Sequence, residues 1–135
     1  MDEIQSTIDR FLKGSSFAVV GASRDRSKYG NKVLRAYLQK GMTVFPVNPT
    51  AGEVEGLKAY PNLTSLPQTV DGISIVTPPH VTEEAVEEAC RLGIKHIWMQ
   101  PGAESKTAID RAKACGAEVI AEGPCVLVML GYRES

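Results

Sequence analysis

The chain has 135 residues, which is the size of one domain built around one hydrophobic core. Its composition, 43% hydrophobic and 23% charged, excludes a disordered chain, and a net charge of −1 excludes the broad positive field that holds proteins on nucleic acid or anionic membranes. We therefore expect one globular domain over residues 1–135, in which any anion-binding site is confined to one part of the surface.

The cysteines and the N-terminus bear on the cellular compartment. Three cysteines without a C-x-x-C pair do not predict a disulfide scaffold or a metal site. Acidic residues interrupt the start of the chain, and no apolar run approaches the ~20 residues that span a bilayer. These features favour a reducing cytoplasm. Cys90 and Cys115 fall on the packed faces of predicted helices, and we expect both to be unreactive core residues.

The first half of the chain predicts a helix, a strand, a second helix and a second strand. A helical stripe over 1–13 ends before Gly14, and an apolar run at 17–20 predicts the first strand. After a polar loop, residues 31–40 have helical periodicity. Residues 43–47 predict the second strand, which must stop at Asn48-Pro49 because proline lacks the donor that a sheet requires.

The second half continues the alternation after an irregular crossover over 50–70. We predict strands at 73–76, 94–99 and 117–121, and helices at 81–92 and 104–115. Residues 125–130 form either a short last strand or a packed tail.

Strands that alternate with helices at these intervals indicate right-handed βαβ crossovers and a buried parallel sheet. The predicted fold is α/β, a Rossmann-like three-layer domain with a five-stranded parallel sheet of order 3-2-1-4-5 and an extra N-terminal helix. In such sheets ligands bind outside the carboxyl ends of the strands, an edge that we call the rim. The rim is expected to consist of residues 21–30, 48–50, 77–80, 100–103 and the segment after Ala121.

The loop from Gly21 to Gly30 follows the first strand and opens a helix, so free backbone N–H groups and the helix dipole face it. Arg24, Arg26 and Lys28 add three cations within five residues. The alternative is a solvated charged loop without a ligand. We favour an anion site because strand-to-helix glycine loops bind phosphates in this architecture.

Two residues argue against an ordinary NAD site. Ser23 stands where the dinucleotide fingerprint has its second glycine, and Asn48 stands where the second strand usually supplies a ribose-binding acid. A nucleotide with an additional phosphate would still find basic partners for its phosphates in the loop 21–30. An NADP-dependent oxidoreductase, in which Arg24 and Arg26 accept a 2′-phosphate, remains an alternative.

Five motifs in order resemble the CoA-binding domain family. They are Val-Val-Gly-Ala-Ser-Arg at 19–24, Gly-Asn-Lys-Val at 30–33, Pro-Val-Asn-Pro at 46–49, Glu-Gly-Leu-Lys-Ala-Tyr-Pro at 55–61 and Asp-Gly-Ile-Ser-Ile-Val at 71–76. The family includes free-standing CoA-binding proteins and the N-terminal domains of ADP-forming acyl-CoA synthetases and succinyl-CoA synthetase alpha subunits. Trp-Met-Gln-Pro-Gly at 98–102 and the late Cys125 are similar to the free-standing branch.

The resemblance implies that the first loop holds the CoA phosphates, that the end of the second strand lines the adenine and ribose, and that the rim after the third and fourth strands flanks the pantetheine. Tyr60, together with Lys58, either covers the nucleotide or only anchors its loop. The candidate ligand-binding residues are Gly21, Ala22, Ser23, Arg24, Arg26, Lys28, Gly30, Asn31, Val47, Asn48, Pro49, Tyr60, Thr77, Pro78, Met99, Gln100 and Pro101.

We expect a binder of coenzyme A or an acyl-CoA that acts as carrier, sensor or partner subunit. It is expected to lack ligase chemistry, since the phosphorylated histidine and ATP-binding modules of the synthetases lie in other domains. A regulatory subunit of a separate acyl-CoA synthetase is a further alternative, and the chain is expected to be a monomer or homodimer that binds neither nucleic acid nor membranes.

The remaining chemical groups give no catalytic or metal site. No Ser-His-Asp set or carboxylate pair can be assembled, and His80 and His96 lie in different segments without further ligands. Cys125 follows the last strand on the rim. It is either a small packed residue or a thiol that meets the pantetheine thiol of a bound CoA.

Overall fold

The computed structural model describes residues 3–123 and 125–134. Its helices and strands, in chain order, are α1 (Glu3–Leu12), β1 (Ser16–Val20), α2 (Tyr29–Gln39), β2 (Thr43–Val47), β3 (Glu53–Val54), β4 (Leu57–Lys58), β5 (Gly72–Ile75), α3 (Pro79–Leu92), β6 (His96–Met99), α4 (Lys106–Ala114), β7 (Glu118–Ile120) and α5 (Val126–Met129). None of the helices in the described ranges is long and apolar enough to cross a membrane.

Five parallel strands form one sheet in the order β2-β1-β5-β6-β7, and helices cover both faces. Alternate residues of β1 point to opposite faces. Phe17 and Val19 pack in the cluster that includes α1, α2 and α5, whereas Ala18 and Val20 pack in the cluster that includes α3 and α4. The predicted Rossmann-like fold with its five-stranded parallel sheet and N-terminal helix is confirmed.

One detail of the predicted sheet differs. The third of the five strands, β5, lies between the first and the fourth, so the order among the five is 2-1-3-4-5 rather than 3-2-1-4-5. The reason is that Tyr60 already occupies the outer edge of β2. The Tyr60 N–H donates to the Pro46 carbonyl at 3.0 Å, and the Asn48 N–H donates to the Tyr60 carbonyl at 2.9 Å. The chain therefore adds β2 on one side of β1 and β5 on the other side.

The crossover and the tail are more regular than the sequence indicated. β3 and β4 form a small antiparallel hairpin whose turn residues Glu55 and Gly56 both have positive φ, 51° and 78°, as a type I′ turn requires. Residues 62–66 form a turn without a helix. After Cys125 the tail forms α5, with Val126 and Leu130 buried, so a last strand was the wrong alternative and a packed tail the correct one.

Cys90 and Cys115 form a disulfide that joins the end of α3 to the end of α4, with 5.9 Å between their Cα atoms. The prediction of two unpaired core cysteines is wrong. The two residues are 25 positions apart, and their pairing depends on how α3 packs against α4, which local sequence patterns do not specify.

Candidate functional site

The loop after β1 is positioned by two glycines. Gly21 has φ 97°, a conformation that favours glycine, and its N–H donates to the Val47 carbonyl at 3.1 Å. A Cβ on Gly30 would clash with the Gly21 carbonyl oxygen. Helix α2 therefore begins directly against the end of β1, and only glycine at position 30 permits this approach.

Buried polar side chains hold the loop from behind. Asn31 is fully buried and donates to the Ser23 carbonyl at 2.8 Å. Arg35, 5% exposed, donates to the Asn31 side-chain oxygen at 2.6 Å and to the Arg26 carbonyl at 2.8 Å. Asn31 thus supports the loop rather than facing a ligand, and Arg35 is a supporting residue that the sequence patterns did not single out.

The hairpin turn reaches the same loop. Glu55 accepts from Arg26 at 2.7 Å and from the Asn31 amide at 3.0 Å. Asp25 accepts from the Ser27 hydroxyl at 2.6 Å and from its N–H at 2.9 Å, and these bonds lower the pKa of the Asp25 carboxyl. Arg26 is therefore paired with Glu55, and Asp25 lies in the same loop, so the positive charge is smaller than the loop sequence alone indicated.

Two of the three cations are unengaged. Arg24 and Lys28 are exposed and have no ion pair or side-chain hydrogen bond within the described part of the chain. Lys28 is the N-cap of α2 without a side-chain cap, and no acceptor within residues 3–123 or 125–134 is found for the N–H groups of Tyr29 and Gly30. Unpaired donors at a helix N-terminus attract anions.

Asn48 has a structural role that uses all of its polar atoms. Its Oδ1 accepts from Thr50 N–H at 2.8 Å and from Ala51 N–H at 2.9 Å, and its Nδ2 donates to the Ala22 carbonyl at 2.8 Å. The side chain closes an Asx turn after β2 and ties that turn to the loop after β1. It therefore replaces the ribose-binding acid with a residue that holds two rim loops together.

A groove of about 550 Å³ opens beside the first loop, between the ends of β1 and β2 and the wall formed by α3. It contains four of the residues singled out from the sequence, Gly21, Val47, Pro49 and Thr77. Its other walls come from the crossover and from α3. These additional lining residues, which local patterns did not indicate, include Pro61, Leu63, Val81, Glu84, Ala85 and Arg91.

Other residues singled out from the sequence lie elsewhere. Met99 is fully buried in the core, so its side chain serves packing. The ring of Tyr60 contacts Phe45 and Lys58 at the outer edge of β2, outside the groove. His80 is exposed at the start of α3, and no group of three or more His, Cys, Asp or Glu in the described ranges is arranged to hold a metal ion.

The rim after β5 and β6 is partly open. The Thr77 hydroxyl lies 2.8 Å from the hydroxyl of buried Thr82, which fixes the turn into α3, and the exposed Pro78 precedes that helix. Pro101 is exposed, whereas Gln100 is fully buried. The exposed prolines therefore contribute to the surface of this part of the rim.

Tyr29, Gln100 and Cys125 form what we call the thiol cluster. The Tyr29 hydroxyl lies 2.5 Å from Cys125 Sγ and 3.2 Å from Gln100 Oε1, which also accepts from the Val126 N–H at 2.9 Å. Burial, together with the hydrogen bond to Cys125, raises the pKa of the Tyr29 phenol. Cys125 thus belongs to the rim and contacts Tyr29, the first residue of α2.

Comparison with known proteins agrees with this arrangement. The family model described as "CoA binding domain" matches residues 15–131. The chain belongs to this family. The match includes every residue of the rim and omits only α1 and the last residues.

The ADP-forming ligases among the relatives are larger proteins. The alpha subunit of ADP-forming acetate–CoA ligase II from Pyrococcus furiosus is 31% identical over 134 residues, which cover 90% of this chain and 29% of that subunit. The chain spans 11% to 29% of the lengths of the ADP-forming acetate–CoA ligases that it matches.

Solved structures include both short and long neighbours. A conserved hypothetical protein from Pyrococcus furiosus is 43% identical with a TM-score of 0.79, covering 84% of this chain and 97% of that one. A dinucleotide-forming acetyl-coenzyme A synthetase 1 from Ca. Korarchaeum cryptofilum is 34% identical with a TM-score of 0.71, covering 78% of this chain and 25% of that one. The fold therefore occurs both by itself and as one part of a synthetase.

Proposed function

We propose that the chain binds coenzyme A or an acyl-CoA at the rim. The observation that carries the proposal is that Gly21 belongs both to the loop with unpaired donors and to the groove of about 550 Å³. A ligand with phosphates and a nucleoside fits such a junction. Membership of the CoA binding domain family supports the same ligand class.

The proposed phosphate contacts come from the loop and the start of α2. Arg24 and Lys28 are free to pair with phosphate oxygens, and the N–H groups of Tyr29 and Gly30 lie at the positive end of α2. Arg26 contributes less because Glu55 already pairs with it. Of the basic residues predicted for this site, we therefore assign Arg24 and Lys28 the larger contributions.

The nucleoside end is proposed to lie in the groove. Val47, Pro49 and Pro61 offer flat or apolar surfaces to a base. The wall formed by α3 carries Arg91 beside three carboxylates, those of Glu84, Glu87 and Glu88, so we assign no phosphate to it. The pantetheine would then leave the groove past Thr77, which lines it, and continue past Pro101 toward the thiol cluster. This direction follows from the sheet order, in which the loop after β1 lies next to that after β5, and the loop after β6 is the next one along.

An NAD(P)-dependent oxidoreductase is less well supported. The side-chain polar atoms of Asn48, which stands at the position of the usual ribose-binding acid, are already bonded within the protein. We propose instead a cytoplasmic carrier, sensor or partner subunit of a separate acyl-CoA synthetase, without ligase chemistry of its own. The names of the ligase relatives favour the partner role.

Isothermal titration calorimetry with CoA, dephospho-CoA, NAD and NADPH tests the proposal. We expect CoA to bind and NAD not to bind. Arg24→Glu places a negative charge beside the proposed phosphates and is expected to weaken CoA binding at least about tenfold, since charge-assisted bonds contribute about 1.5–3 kcal/mol each.

Lys113→Glu is the matched control, since Lys113 is exposed in the last turn of α4, beside the start of β7 at the opposite end of the sheet. It makes the same charge change away from the rim and should leave CoA affinity unaltered. Equal affinity for NAD and CoA, or equal losses in the two variants, would contradict the proposal.

A further inference from the structure

Cys125 is the free thiol of this chain, because the other two of its three cysteines form the Cys90–Cys115 disulfide. It is partly exposed on the rim, and its sulfur contacts the Tyr29 hydroxyl. A thiol that is open to solvent and hydrogen-bonded to a phenol is accessible to a reactive group on a ligand.

The second observation is the amide of Gln100, whose side chain is fully buried. Its Oε1 accepts from the Val126 N–H, which can only donate, so the two ends of the amide cannot be exchanged. The Nε2 of Gln100 then has no acceptor among residues 3–123 and 125–134. A buried donor without a partner costs about 1–3 kcal/mol, so this position favours a ligand that brings an acceptor.

The hydrogen bonds of the cluster suit both the thiol and the thiolate of Cys125. The Tyr29 hydroxyl has one hydrogen, which it donates either to Gln100 Oε1 or to the sulfur of Cys125. When the thiol is protonated, S–H donates to the phenol oxygen. When Cys125 loses its proton, the Tyr29 hydroxyl donates to the thiolate instead of to Gln100 Oε1. Gln100 Oε1 still accepts from the Val126 N–H.

We propose that the thiol cluster accepts an acyl group from a bound acyl-CoA, so that the chain carries the acyl group on Cys125. Cys125 Sγ forms a bond to the thioester carbonyl carbon while the bond from that carbon to the CoA sulfur breaks. The proton lost by Cys125 goes to the departing CoA thiolate. The products are an acyl thioester on Cys125 and free CoA, without any oxidant or further reactant.

Gln100 Nε2 matches this reaction because a carbonyl oxygen is an acceptor and becomes a stronger one when negative charge develops on it. The location matches as well. Tyr29 is the first residue of α2, the helix assigned to the phosphates, and its phenol contacts the thiol. The inference rests on the proposed CoA binding, which supplies the thioester to this end of the rim.

The experiment incubates the purified chain, with its disulfide intact, with acetyl-CoA and follows intact mass and Cys125-containing peptides by mass spectrometry. We expect one acetyl group on Cys125, released by neutral hydroxylamine as thioesters are, at a rate that saturates with acetyl-CoA. Calorimetry with CoA on the same sample measures binding separately. An absence of CoA binding would overturn the proposed function and this inference together.

Two variants identify the roles in the reaction. Gln100→Glu keeps an acceptor for Val126 but replaces the Nε2 donor with oxygen, and we expect acylation at saturation to fall about 100-fold, the effect of removing one oxyanion donor. Tyr29→Phe removes the hydroxyl that donates to the thiolate, and we expect a fall of at least about tenfold with unchanged half-saturation, since a charge-assisted hydrogen bond is lost. Cys125→Ser should retain CoA affinity and lose hydroxylamine-sensitive acylation.

Two results would overturn the inference while leaving CoA binding in place. One is acylation of Cys125 no faster than that of N-acetylcysteine at the same thiol concentration. The other is wild-type acylation rates in both Gln100→Glu and Tyr29→Phe. Thermal unfolding of each variant shows whether it is folded. Because both variants must give the same result, a packing defect in one of them cannot by itself support or overturn the inference.

Discussion

The charged side chains at the two ends of the central sheet are paired differently. At the amino end, which we call the base, Asp71 accepts from the N–H and hydroxyl of Ser15 at 2.7 and 2.9 Å, and Arg10 donates to both oxygens of Glu118. At the rim, no ion pair or side-chain hydrogen bond is found for Arg24 and Lys28 in the described ranges, and the buried amide donor of Gln100 is unpaired.

The base is also joined covalently. Helices α3 and α4 run from the rim to the base, and the disulfide lies at their final turns. Polar residues of the base therefore stabilise the fold, whereas those of the rim are available to a ligand. This difference predicts that base variants change the free energy of unfolding and that the rim charges change binding.

The largest expected effect on stability belongs to the disulfide. Replacing both partners, Cys90→Ser with Cys115→Ser, should lower the free energy of unfolding by about 3 kcal/mol, since the cross-link restricts the unfolded chain. Urea unfolding measures the change, and CoA affinity should stay within about twofold of wild type because the groove contacts are unaltered. Cys125→Ser, which leaves the disulfide intact, is the control. An unchanged unfolding midpoint would show that the cross-link does not stabilise the base.

Gly30→Ala tests a rim position that also determines the local backbone packing. Its Cβ clashes with the Gly21 carbonyl, so either α2 or the loop must shift, and we expect a loss of about 2 kcal/mol together with loss of CoA binding. Gly52→Ala is a suitable comparison because nothing lies within 4 Å of its Cβ. If Gly30→Ala binds CoA like wild type, the close approach of α2 to β1 is not required for the site.

Asp71→Asn tests the base. Hydrogen bonds from the Ser15 N–H and hydroxyl lower the pKa of the Asp71 carboxyl below its unfolded value, so its contribution is present above that value and is lost as pH falls through the folded pKa. We expect a loss of about 1 kcal/mol at neutral pH, reduced by solvent exposure, and no change in CoA affinity.

The same variant gives a pH signature. Wild-type stability should lose this contribution as pH falls below about 3.9, the ordinary aspartate value, and the difference between wild type and Asp71→Asn should shrink over the same interval. Unfolding curves collected from neutral to acidic pH measure it. A difference that is constant with pH would assign the effect to packing.

The smallest expected effect concerns Glu55, which pairs with Arg26 across the rim. Glu55→Gln keeps an acceptor for Asn31 but removes the charge, so Arg26 becomes available to phosphate. Exposed ion pairs are weak, and we expect CoA affinity to rise only about threefold. Glu53→Gln on the same hairpin is the control, and a fall in affinity in Glu55→Gln would show that this carboxylate supports the site.

The sequence was sufficient for the features that local patterns define. Strand ends marked by Gly21, Asn48 and Thr77 placed three rim loops correctly, because parallel strands separated by helices end at one edge. The support of those loops was not predictable in the same way. Arg35 looks like an ordinary helix residue until α2 packs, and Glu55 reaches Arg26 from 29 positions away.

The incorrect strand order has a related cause. Apolar periodicity finds strands but does not say which neighbours pair, and Tyr60 settles the matter by bonding to the edge of β2 from an irregular segment. Cys125 shows the same limit. Its position after the last strand indicated the rim, but its contact with Tyr29 joins residues 96 positions apart and appears only in the folded chain.

The segment around Tyr60 also affects how the molecule behaves in concentrated solution. A sheet with a long, flat and unpaired outer strand invites pairing with another copy and, from there, aggregation. Here the backbone of Tyr60 takes up hydrogen-bonding groups at the end of β2, and the opposite outer strand, β7, is only three residues long and begins with Glu118 in its ion pair with Arg10. Short, charged and covered edges disfavour such pairing, so the fold protects itself against sheet extension on both sides.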